Sequence, residues 1–247
     1  MTWHRGPFCV LDTETTGVDV ETDRIVTAAV VDVLPPGSEP TSRTKVWLIN
    51  PGVDIPEAAT AVHGITTEHA REHGQDPAVA LGEIAGRVCI ALRRGIPLVA
   101  MNAPFDLTLL DRELMRHNLG GLAQRLGGYD QVRPVLDPYV IDKQVDKYRK
   151  RKRTLTALCE HYQVELTEAH AADGDALGAV RVLWRMAQIH VLTRWQPDEL
   201  HDYQIEWRAE QSKSFAAYLR KQGKPADDVD GHWPIRPYPN ESTGAVA

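Results

Sequence analysis

An apolar run that ends in two closely spaced carboxylates constrains the fold of this chain most strongly. The apolar residues at positions 8–11 lead directly into Asp12 and Glu14, and a glycine follows at position 17. In a strand, residues i and i+2 share a face, so these two acids would point to one place at the carboxyl end of the strand. Two converging acids repel each other unless a cation lies between them. A lone Asp-x-Glu also fits a polar strand end that runs into a turn, so its meaning depends on partners elsewhere in the chain.

Composition limits the class of protein. The chain has 247 residues, 43% hydrophobic and 25% charged, which is typical of a soluble globular protein with one sizeable core and an appendage, or with two small cores. Its three cysteines, Cys9, Cys89 and Cys159, are scattered and odd in number, which argues against a disulfide framework or a zinc site and favours the cytoplasm. No apolar segment approaches the length that spans a bilayer, so we expect no membrane partner. The net charge of -6 argues against a whole-surface coat on nucleic acid but allows a local site.

Apolar periodicity predicts strands first and then strands interleaved with helices. Strands are expected at 9–11, 25–33 and 45–49, as an antiparallel meander. Helices are expected at 77–94, 105–118, 154–162 and 172–190, with short buried strands at 96–101 and 132–136. The positions expected to face inward on the helices are Val79, Leu81, Ile84, Val88, Ala91, Leu92, Leu109, Leu110, Leu114, Leu177, Val180, Leu183, Trp184 and Ala187. Gly95 suits a helix C-terminus. This order indicates an α/β fold with a mixed sheet flanked by helices.

Two further segments offer partners for the first pair of acids. Asp106 opens a helix directly after the 96–101 strand, in the kind of crevice where open α/β sheets place ligands. It is also compatible with a simple charge in the first helical turn. His170 stands five residues before Asp175 at the start of the 172–190 helix. There too a simpler interpretation exists, with Asp173 as an N-cap and His170 as a loop residue.

Taken together, Asp12, Glu14, Asp106, His170 and Asp175 occur in the order typical of the DnaQ-like 3′–5′ exonucleases, the DEDD superfamily. The resemblance extends over about residues 8 to 190. The His-x-x-x-x-Asp spacing resembles the histidine branch, DEDDh, because the tyrosine branch has a tyrosine four residues before the last acid, where this chain has alanine. The resemblance implies a ribonuclease-H-like fold, with a five-stranded mixed sheet between helices, and an exonuclease domain over residues 1–190.

The same resemblance implies a chemistry and a set of roles. It implies a metal-dependent 3′–5′ exonuclease that releases nucleoside 5′-monophosphates, using two divalent cations, Mg²⁺ or Mn²⁺, which prefer hard oxygen ligands. Asp12 would bridge both ions, Glu14 and Asp175 would complete one, and Asp106 would act mainly through the water shell of the second. His170 would be the general base that takes the proton from the attacking water.

Substrate contacts also follow from the resemblance. The backbone at Thr15 and Thr16 would lie against the terminal nucleotide of a single-stranded or frayed 3′ end. The stretch 62–66 resembles a family HGIT segment, in which His63 and Ile65 would line the pocket for the last base. Asn102 and Phe105, beside Asp106, are further candidates. Two of these residues have simpler interpretations, since His63 also suits a surface loop and Phe105 a core position.

A run of six cations around one tyrosine occupies positions 147–153. Such a run fits either a contact with a phosphate backbone or a solvated loop. Beyond residue 190 the resemblance ends. We expect residues 191–247 to form a helical extension and a mobile tail, with a helix at 198–222 and a proline-containing tail at 223–247. The apolar positions of that helix are Leu200, Tyr203, Trp207, Phe215 and Tyr218. The extension either packs on the body or docks a polymerase, replication or repair partner.

Two other functions compete with the exonuclease. A catalytically silent nucleic-acid-binding or polymerase-associated module would have no need of four carboxylates and a histidine, all of which are here. A small-molecule phosphohydrolase of unrelated α/β fold is expected to have a glycine-rich phosphate loop, and no convincing one occurs. The sequence therefore favours the exonuclease, without separating DNA from RNA as substrate.

Overall fold

The computed structural model describes residues 3–35, 42–166 and 171–238. Its strands are β1 (Phe8–Thr15), β2 (Ile25–Val33), β3 (Ser42–Leu48), β4 (Leu98–Val99) and β5 (Val135–Leu136). Its helices are α1 (Glu57–His63), α2 (Thr67–His73), α3 (Pro77–Arg93), α4 (Ala103–Arg116), α5 (Leu122–Leu126), α6 (Pro138–Val145), α7 (Leu155–Tyr162), α8 (Ala172–Ile189) and α9 (Pro197–Lys221). Within the described ranges, none of these helices combines the length and the apolar character needed to cross a membrane.

The five strands form one mixed sheet in the order β3-β2-β1-β4-β5. The pairs β1–β2 and β2–β3 are antiparallel, and β1–β4 and β4–β5 are parallel. This confirms the predicted meander and the five-stranded mixed sheet between helices. Because β1, β4 and β5 run in one direction, their carboxyl ends lie at the same edge of the sheet. The segments that follow these strands therefore meet there, in the crevice where α/β sheets bind ligands.

Strand β1 is covered on both faces, and its alternation decides which helix each side chain meets. Cys9 and Leu11 lie in a core shared with α3 and α4, whereas Phe8 and Val10 lie in a core shared with α7 and α8. Side chains of a strand alternate between faces. Continued to the strand end, this alternation directs Asp12 and Glu14 to the α8 side and the residue between them to the α4 side.

Several elements differ from the expectation. Strands β4 and β5 have two residues each, because Pro97 and Pro134 precede them and proline has no N–H for a ladder. The short helices α1, α2, α5 and α6 were not predicted, since five to eight residues give little periodicity. Gly95 has the expected left-handed conformation, with φ 67°. Val79 and Trp184, predicted to face inward, are 57% and 42% exposed.

The C-terminal segment is extended but packed. Trp233 and Ile235 are 6% and 4% exposed and belong to the core of α3 and α4. The buried Arg112 of α4 donates hydrogen bonds to the carbonyls of Arg236 and Pro237. The tail is therefore extended, and as far as residue 238 it is packed and not free, because two large apolar side chains hold the segment in the core. Positions 239–247 lie outside the described residues.

Helix α9 also differs from its predicted stripe. Leu200 is buried, but Tyr203, Phe215 and Tyr218 are between 39% and 57% exposed. The face of α9 that packs on the body is instead partly polar. His201 Nδ1 accepts from the Val135 amide at 3.0 Å, and Gln204 accepts from the Asp137 amide at 2.7 Å and donates to the Val135 carbonyl at 3.1 Å. The helix thus supplies hydrogen bonds to an edge strand that would otherwise be unpaired on that side.

Candidate active site

Three carboxylates converge at the carboxyl end of β1. Each of Asp12, Glu14 and Asp175 offers an oxygen, and these oxygens lie within 4.8 Å of one another. Asp12 and Glu14 share one face of β1, and Asp175 stands in the first turn of α8, which packs on that face. The convergence of the two strand acids and the last acid is therefore as predicted.

The fourth predicted carboxylate approaches from the other side of β1. Asp106 is 4% exposed and lies in the first turn of α4, which follows β4 directly. Thr13 Oγ1, which faces α4, donates a hydrogen bond to Asp106 Oδ1 at 2.7 Å. Sequence reasoning missed the role of Thr13. The strand alternation between Asp12 and Glu14 is the signal that points to it.

Without a cation, the ionised forms of these clustered carboxylates are electrostatically unfavourable, and their pKa values are raised. The pKa of Asp12 is raised well above its usual value, first by burial and then by the charges of Asp106, Asp175 and Glu14. Burial, with Asp175 and Asp106 nearby, raises the pKa of Glu14 to about 7. Burial raises the pKa of Asp106 to about 7, although the Thr13 hydrogen bond favours its ionised form. A set of hard oxygen donors that repel one another is a fit for divalent cations such as Mg²⁺ or Mn²⁺.

The predicted base, His170, lies outside the described residues, as do positions 167–169. Its role stays a prediction from the spacing to Asp175. Asp173 shares the first turn of α8 with Asp175, but it has Glu168 instead of a histidine five residues before it, so it does not match the His-x-x-x-x-Asp spacing.

The turn after β1 is held by its own hydroxyls. Thr15 Oγ1 donates to the Gly17 carbonyl at 2.6 Å, and Thr16 Oγ1 donates to Asp23 Oδ1 at 2.7 Å while it accepts from the Arg24 amide at 3.0 Å. A Cβ at position 17 would lie 2.5 Å from Asp23 Oδ2, so a larger residue would displace the Asp23 carboxylate from its hydrogen bonds with Thr16 and the Asp19 amide. Both hydroxyls are thus committed to the turn, and the Thr16 amide also donates to the Arg24 carbonyl at 2.9 Å.

His63 is placed beside this turn. It ends α1, and Gly64 follows with φ 78°. Its Nδ1 accepts from the Ile65 amide at 3.1 Å, and its Nε2 is buried without a hydrogen-bond partner among the described residues. Burial lowers the pKa of His63, and the nearby Thr15 carbonyl partly offsets that effect. Two predicted substrate residues, His63 and Thr15, are therefore brought together by the fold.

The three remaining residues predicted to contact substrate differ in how far their side chains are buried. Ile65 packs against a small cluster with Val26, Ile55 and Ala70. Asn102 has an exposed side chain and a left-handed backbone, with φ 60°. Phe105 is half-buried against the core of α3 and α4. Asn102 is thus the freest of the three side chains, while packing accounts for much of Ile65 and Phe105.

A family model described as an exonuclease matches residues 9–183, which is most of the chain and includes the four carboxylates. The chain belongs to this exonuclease family. A DNA polymerase III subunit epsilon-like protein of Rhodobacter capsulatus is 34% identical over 182 residues, which cover 72% of this chain and 23% of that protein. A PolC-type DNA polymerase III of Streptococcus agalactiae is 28% identical over 189 residues, covering 74% of this chain and 11% of the relative. The chain thus spans less than a quarter of these curated relatives.

Solved structures show the same fold. Exonuclease I of E. coli in complex with a dA16 oligonucleotide has a TM-score of 0.63 at 18% identity, covering 85% of this chain and 45% of that one. A zinc-bound complex of the same enzyme with single-stranded DNA also has a TM-score of 0.63, at 17% identity, covering 86% of this chain and 45% of that one. The similarity supports a ribonuclease-H-like exonuclease fold that extends past α8.

One residue that sequence reasoning missed is Asp137, at the carboxyl end of β5. Its fully buried carboxylate accepts from the amides of Asn102, Ala103 and Tyr139 at 2.9 to 3.0 Å, and from Trp233 Nε1 at 3.2 Å. Burial raises its pKa, and these hydrogen bonds counter that effect. Asp137 therefore joins the starts of α4 and α6 to the C-terminal segment. An Asp-Pro pair before a helix, an N-cap signature, is the signal that was available.

The basic run at 147–153 divides into structural and exposed cations. The side chain of Asp142 is fully buried and is paired with Arg149 and with Arg153, the latter at 2.7 Å. The Tyr162 hydroxyl donates to the same carboxylate at 2.8 Å. The exposed cations of the run are Lys147, Lys150, Arg151 and Lys152. Neither Arg149 nor Arg153 is thus the free surface charge that the sequence suggested.

Proposed function

We propose that the protein is a metal-dependent 3′–5′ exonuclease that hydrolyses nucleic acid and releases nucleoside 5′-monophosphates. The observation that carries the proposal is the convergence of Asp12, Glu14 and Asp175, with oxygens within 4.8 Å of one another. Asp106 adds its charge to theirs from α4. Membership of the exonuclease family supports the reaction class.

The four carboxylates are the proposed ligands of two divalent cations, Mg²⁺ or Mn²⁺. When bound, such cations stabilise charge on a phosphoryl group and on its leaving oxygen, and they make bound water more acidic. Asp12, Glu14 and Asp175 are placed to hold a cation directly. Asp106 is fixed by Thr13 and contributes its charge from the α4 side.

His170 is proposed as the general base that accepts a proton from the attacking water. A neutral imidazole at about pH 7 suits this task. We expect His170→Ala to abolish turnover and to retain metal binding, because the four carboxylates remain.

The turn after β1 and the residues beside it form the proposed site for the terminal nucleotide. His63 lies against Thr15, so the imidazole and the backbone of Thr15 and Thr16 would bound one pocket, with Ile65, Asn102 and Phe105 at its sides. The exonuclease I structures named for their dA16 and dT13 oligonucleotides favour a single-stranded 3′ end as substrate. A frayed duplex end presents the same group.

The polymerase III names of the relatives favour a second setting. In it, the domain works with a polymerase or another replication or repair partner, which contacts the extension after residue 190. A catalytically silent module in that setting is the alternative to the enzyme.

A single experiment separates these functions. Single-stranded DNA and RNA, labelled at either end, would be incubated with the protein and Mg²⁺, Mn²⁺ or chelator. We expect early release of the 3′ label as a mononucleotide, a shortening ladder from the 5′ label, and no reaction in chelator. Removal of the 5′ end, or activity in chelator, would refute the enzyme proposal. Binding without hydrolysis would support the silent module.

A further inference from the structure

A charged groove runs between α6, α9 and the C-terminal segment. Two adjoining clefts share Lys143, Arg153, Gln211 and Phe215 as lining residues, so together they form one continuous depression. We refer to it as the α6–α9 groove. Gln211 fixes its walls, because its Nε2 donates to the Val140 carbonyl at 3.0 Å.

One end of the groove lies at the start of α4. Asn102 lines that end, and Asn102 is the residue directly before α4, whose first turn carries Asp106. The buried carboxylate of Asp137 holds the Asn102 amide on one wall and Trp233 Nε1 in the C-terminal segment. These hydrogen bonds hold the groove wall at the start of α4, and from there the groove leads away along α6 and α9 to Lys147 and Tyr148.

The cations in the groove are only partly matched by acids. Within the described ranges, Lys143 has no ion pair, and its ammonium lies 5.1 Å from the centroid of the Tyr139 ring. Arg208 donates to the Asp230 carbonyl at 3.3 Å, and its Nε is buried without a partner among the described residues. Burial, together with Arg208 and Arg153, lowers the pKa of Lys143. Grouped cations of this kind repel one another, and an anion between them relieves that repulsion.

The acids near these cations are either paired with other residues or exposed at the rim of the groove. Asp230 pairs with Arg236 at 2.8 Å and with His232 at 2.6 Å. Arg153 is engaged by the buried Asp142. Glu210 and Asp228 are exposed at the rim. Among the described residues, Lys143 on α6 and Arg208 on α9 have no ion pair, and the exposed Lys147 at the far end of the groove is a third such cation.

Aromatic side chains accompany these cations. Tyr148 is 89% exposed and Phe215 is 50% exposed, and both line the groove. Exposed aromatic rings beside cations are typical of single-stranded nucleic-acid sites, where bases stack on the rings and cations follow the phosphates. A small anion would not stack on the rings, whereas a nucleotide base would.

We propose that the α6–α9 groove binds the single strand upstream of the 3′ end, with Lys143 and Arg208 at its phosphates and Phe215 and Tyr148 beneath its bases. The inference rests on the proposed function, because it assigns the strand that leads into that active site. It also moves the phosphate contact from the basic run at 147–153 to cations that α6 and α9 supply.

The test measures binding directly, in chelator, so that no strand is cut. Fluorescence anisotropy would follow a 5′-labelled oligothymidylate of about 16 nucleotides, a length in the range of single-strand sites, at several salt concentrations. The binding constant falls as salt rises, and each lost phosphate contact makes the plot of log K against log salt concentration less steep by about 0.7. We expect the double variant Lys143→Gln/Arg208→Gln, which removes two contacts, to make this plot less steep by about 1.4.

The matched control is Arg43→Gln/Lys221→Gln, which removes one arginine and one lysine at exposed positions in β3 and at the end of α9. It should keep the slope of the unaltered protein. Two further variants test the groove independently of the first pair. Phe215→Ala should weaken binding, and Glu210→Gln, which removes a rim acid, should strengthen it.

Failure of the inference is distinguishable from failure of the proposed function. If Lys143→Gln/Arg208→Gln and the control give equal slopes, or if Glu210→Gln leaves affinity unchanged, the groove does not bind the strand, whatever the protein hydrolyses. If the unaltered protein binds through the groove but releases no 3′ nucleotide with Mg²⁺ or Mn²⁺, the inference about strand binding is supported and the enzyme proposal fails.

Discussion

At the scale of single residues, the acids of the candidate site have an unfavourable environment in the absence of a cation. Asp12 is near three other carboxylates, and the backbone of β1 fixes its position between β2 and β4. Folding therefore brings like charges together, and the rest of the structure must hold them there. Such a site trades stability for function.

This trade predicts opposite effects of Asp12→Asn on stability and activity. In chelator, we expect the variant to gain about 1 kcal/mol and to unfold about 2–4 °C higher, because one of four repelling charges is gone. With Mg²⁺ or Mn²⁺, it should lose both turnover and the stabilisation that a bound cation gives. Thermal unfolding with and without metal measures both effects.

Asp173→Asn is the matched control for that variant. It removes an acid from the same turn of α8 as Asp175, but Asp173 is not among the converging acids. Its metal-induced stabilisation should match that of the unaltered protein. An Asp12→Asn protein that still gains stability from metal would mean that the ligands are misassigned.

A second residue-scale prediction concerns the basic run. Arg149→Ala should lower the free energy of unfolding by about 1–3 kcal/mol, because it removes one of two cations from the buried Asp142. Arg151→Ala, at an exposed position two residues away, should change it by less than about 0.5 kcal/mol. Urea unfolding compares the two. Equal losses would show that the ion pair with Asp142 has no structural role.

At the scale of elements, α9 acts as a polar edge for the sheet. His201 and Gln204 provide the hydrogen bonds that a sixth strand would provide to β5. His201 must be neutral at Nδ1 to accept from the Val135 amide. Burial, with Arg133 nearby, lowers the pKa of His201 to about 4, although Asp202 and Asp198 act in the opposite direction.

The lowered pKa predicts how α9 responds to acid. The unfolded chain takes up the His201 proton near pH 6.5, whereas the folded protein resists it until about pH 4. The contribution of a neutral His201 is thus complete above about pH 6.5 and is lost as the pH falls toward 4, by an amount on the order of 3 kcal/mol.

His201→Asn isolates this contribution, because its amide oxygen accepts a hydrogen bond and does not titrate. The difference in unfolding free energy between the unaltered protein and the variant should shrink between pH 6.5 and pH 4, as measured by urea unfolding. A difference that stays constant over this range would contradict the assignment.

At the scale of the whole molecule, the C-terminal segment shares a core with helices α3 and α4. Trp233 and Ile235 pack in the same cluster as Leu81 of α3 and Leu110 of α4. Asp137 adds a hydrogen bond to the Trp233 indole. The division into residues 1–190 and 191–247 that the sequence suggested therefore describes the family resemblance better than it describes packing.

A shared core predicts a single unfolding transition. Calorimetry should give one peak whose calorimetric and van't Hoff enthalpies agree. Trp233→Ala should move the whole peak to lower temperature, because removing a large buried ring lowers the free energy of unfolding by about 3 kcal/mol. Trp184→Ala removes a ring that is 42% exposed and should lower the free energy of unfolding far less. A separate low-temperature peak that alone responds to Trp233→Ala would show two independent units.

The sequence by itself determined the longer elements of this protein and its family. The long strand β2 and the helices α3, α4, α7, α8 and α9 were predicted within a few residues, because each carries enough apolar periodicity to be recognised locally. The order of Asp12, Glu14, Asp106 and Asp175 pointed to the exonuclease family, which the family model then matched over residues 9–183. Local pattern and motif spacing carry this information because both are properties of the chain before it folds.

Only the tertiary structure decided how side chains far apart in the chain pair. The hydrogen bond from Thr13 to Asp106, the burial of Asp142 between Arg149 and Arg153, and the return of Trp233 to Asp137 each join separate segments. No local pattern records such a pairing, since a threonine, an arginine or a tail tryptophan has the same sequence signature whether it is exposed or buried. Burial and hydrogen bonding assign these roles, and both exist only once the segments have packed together.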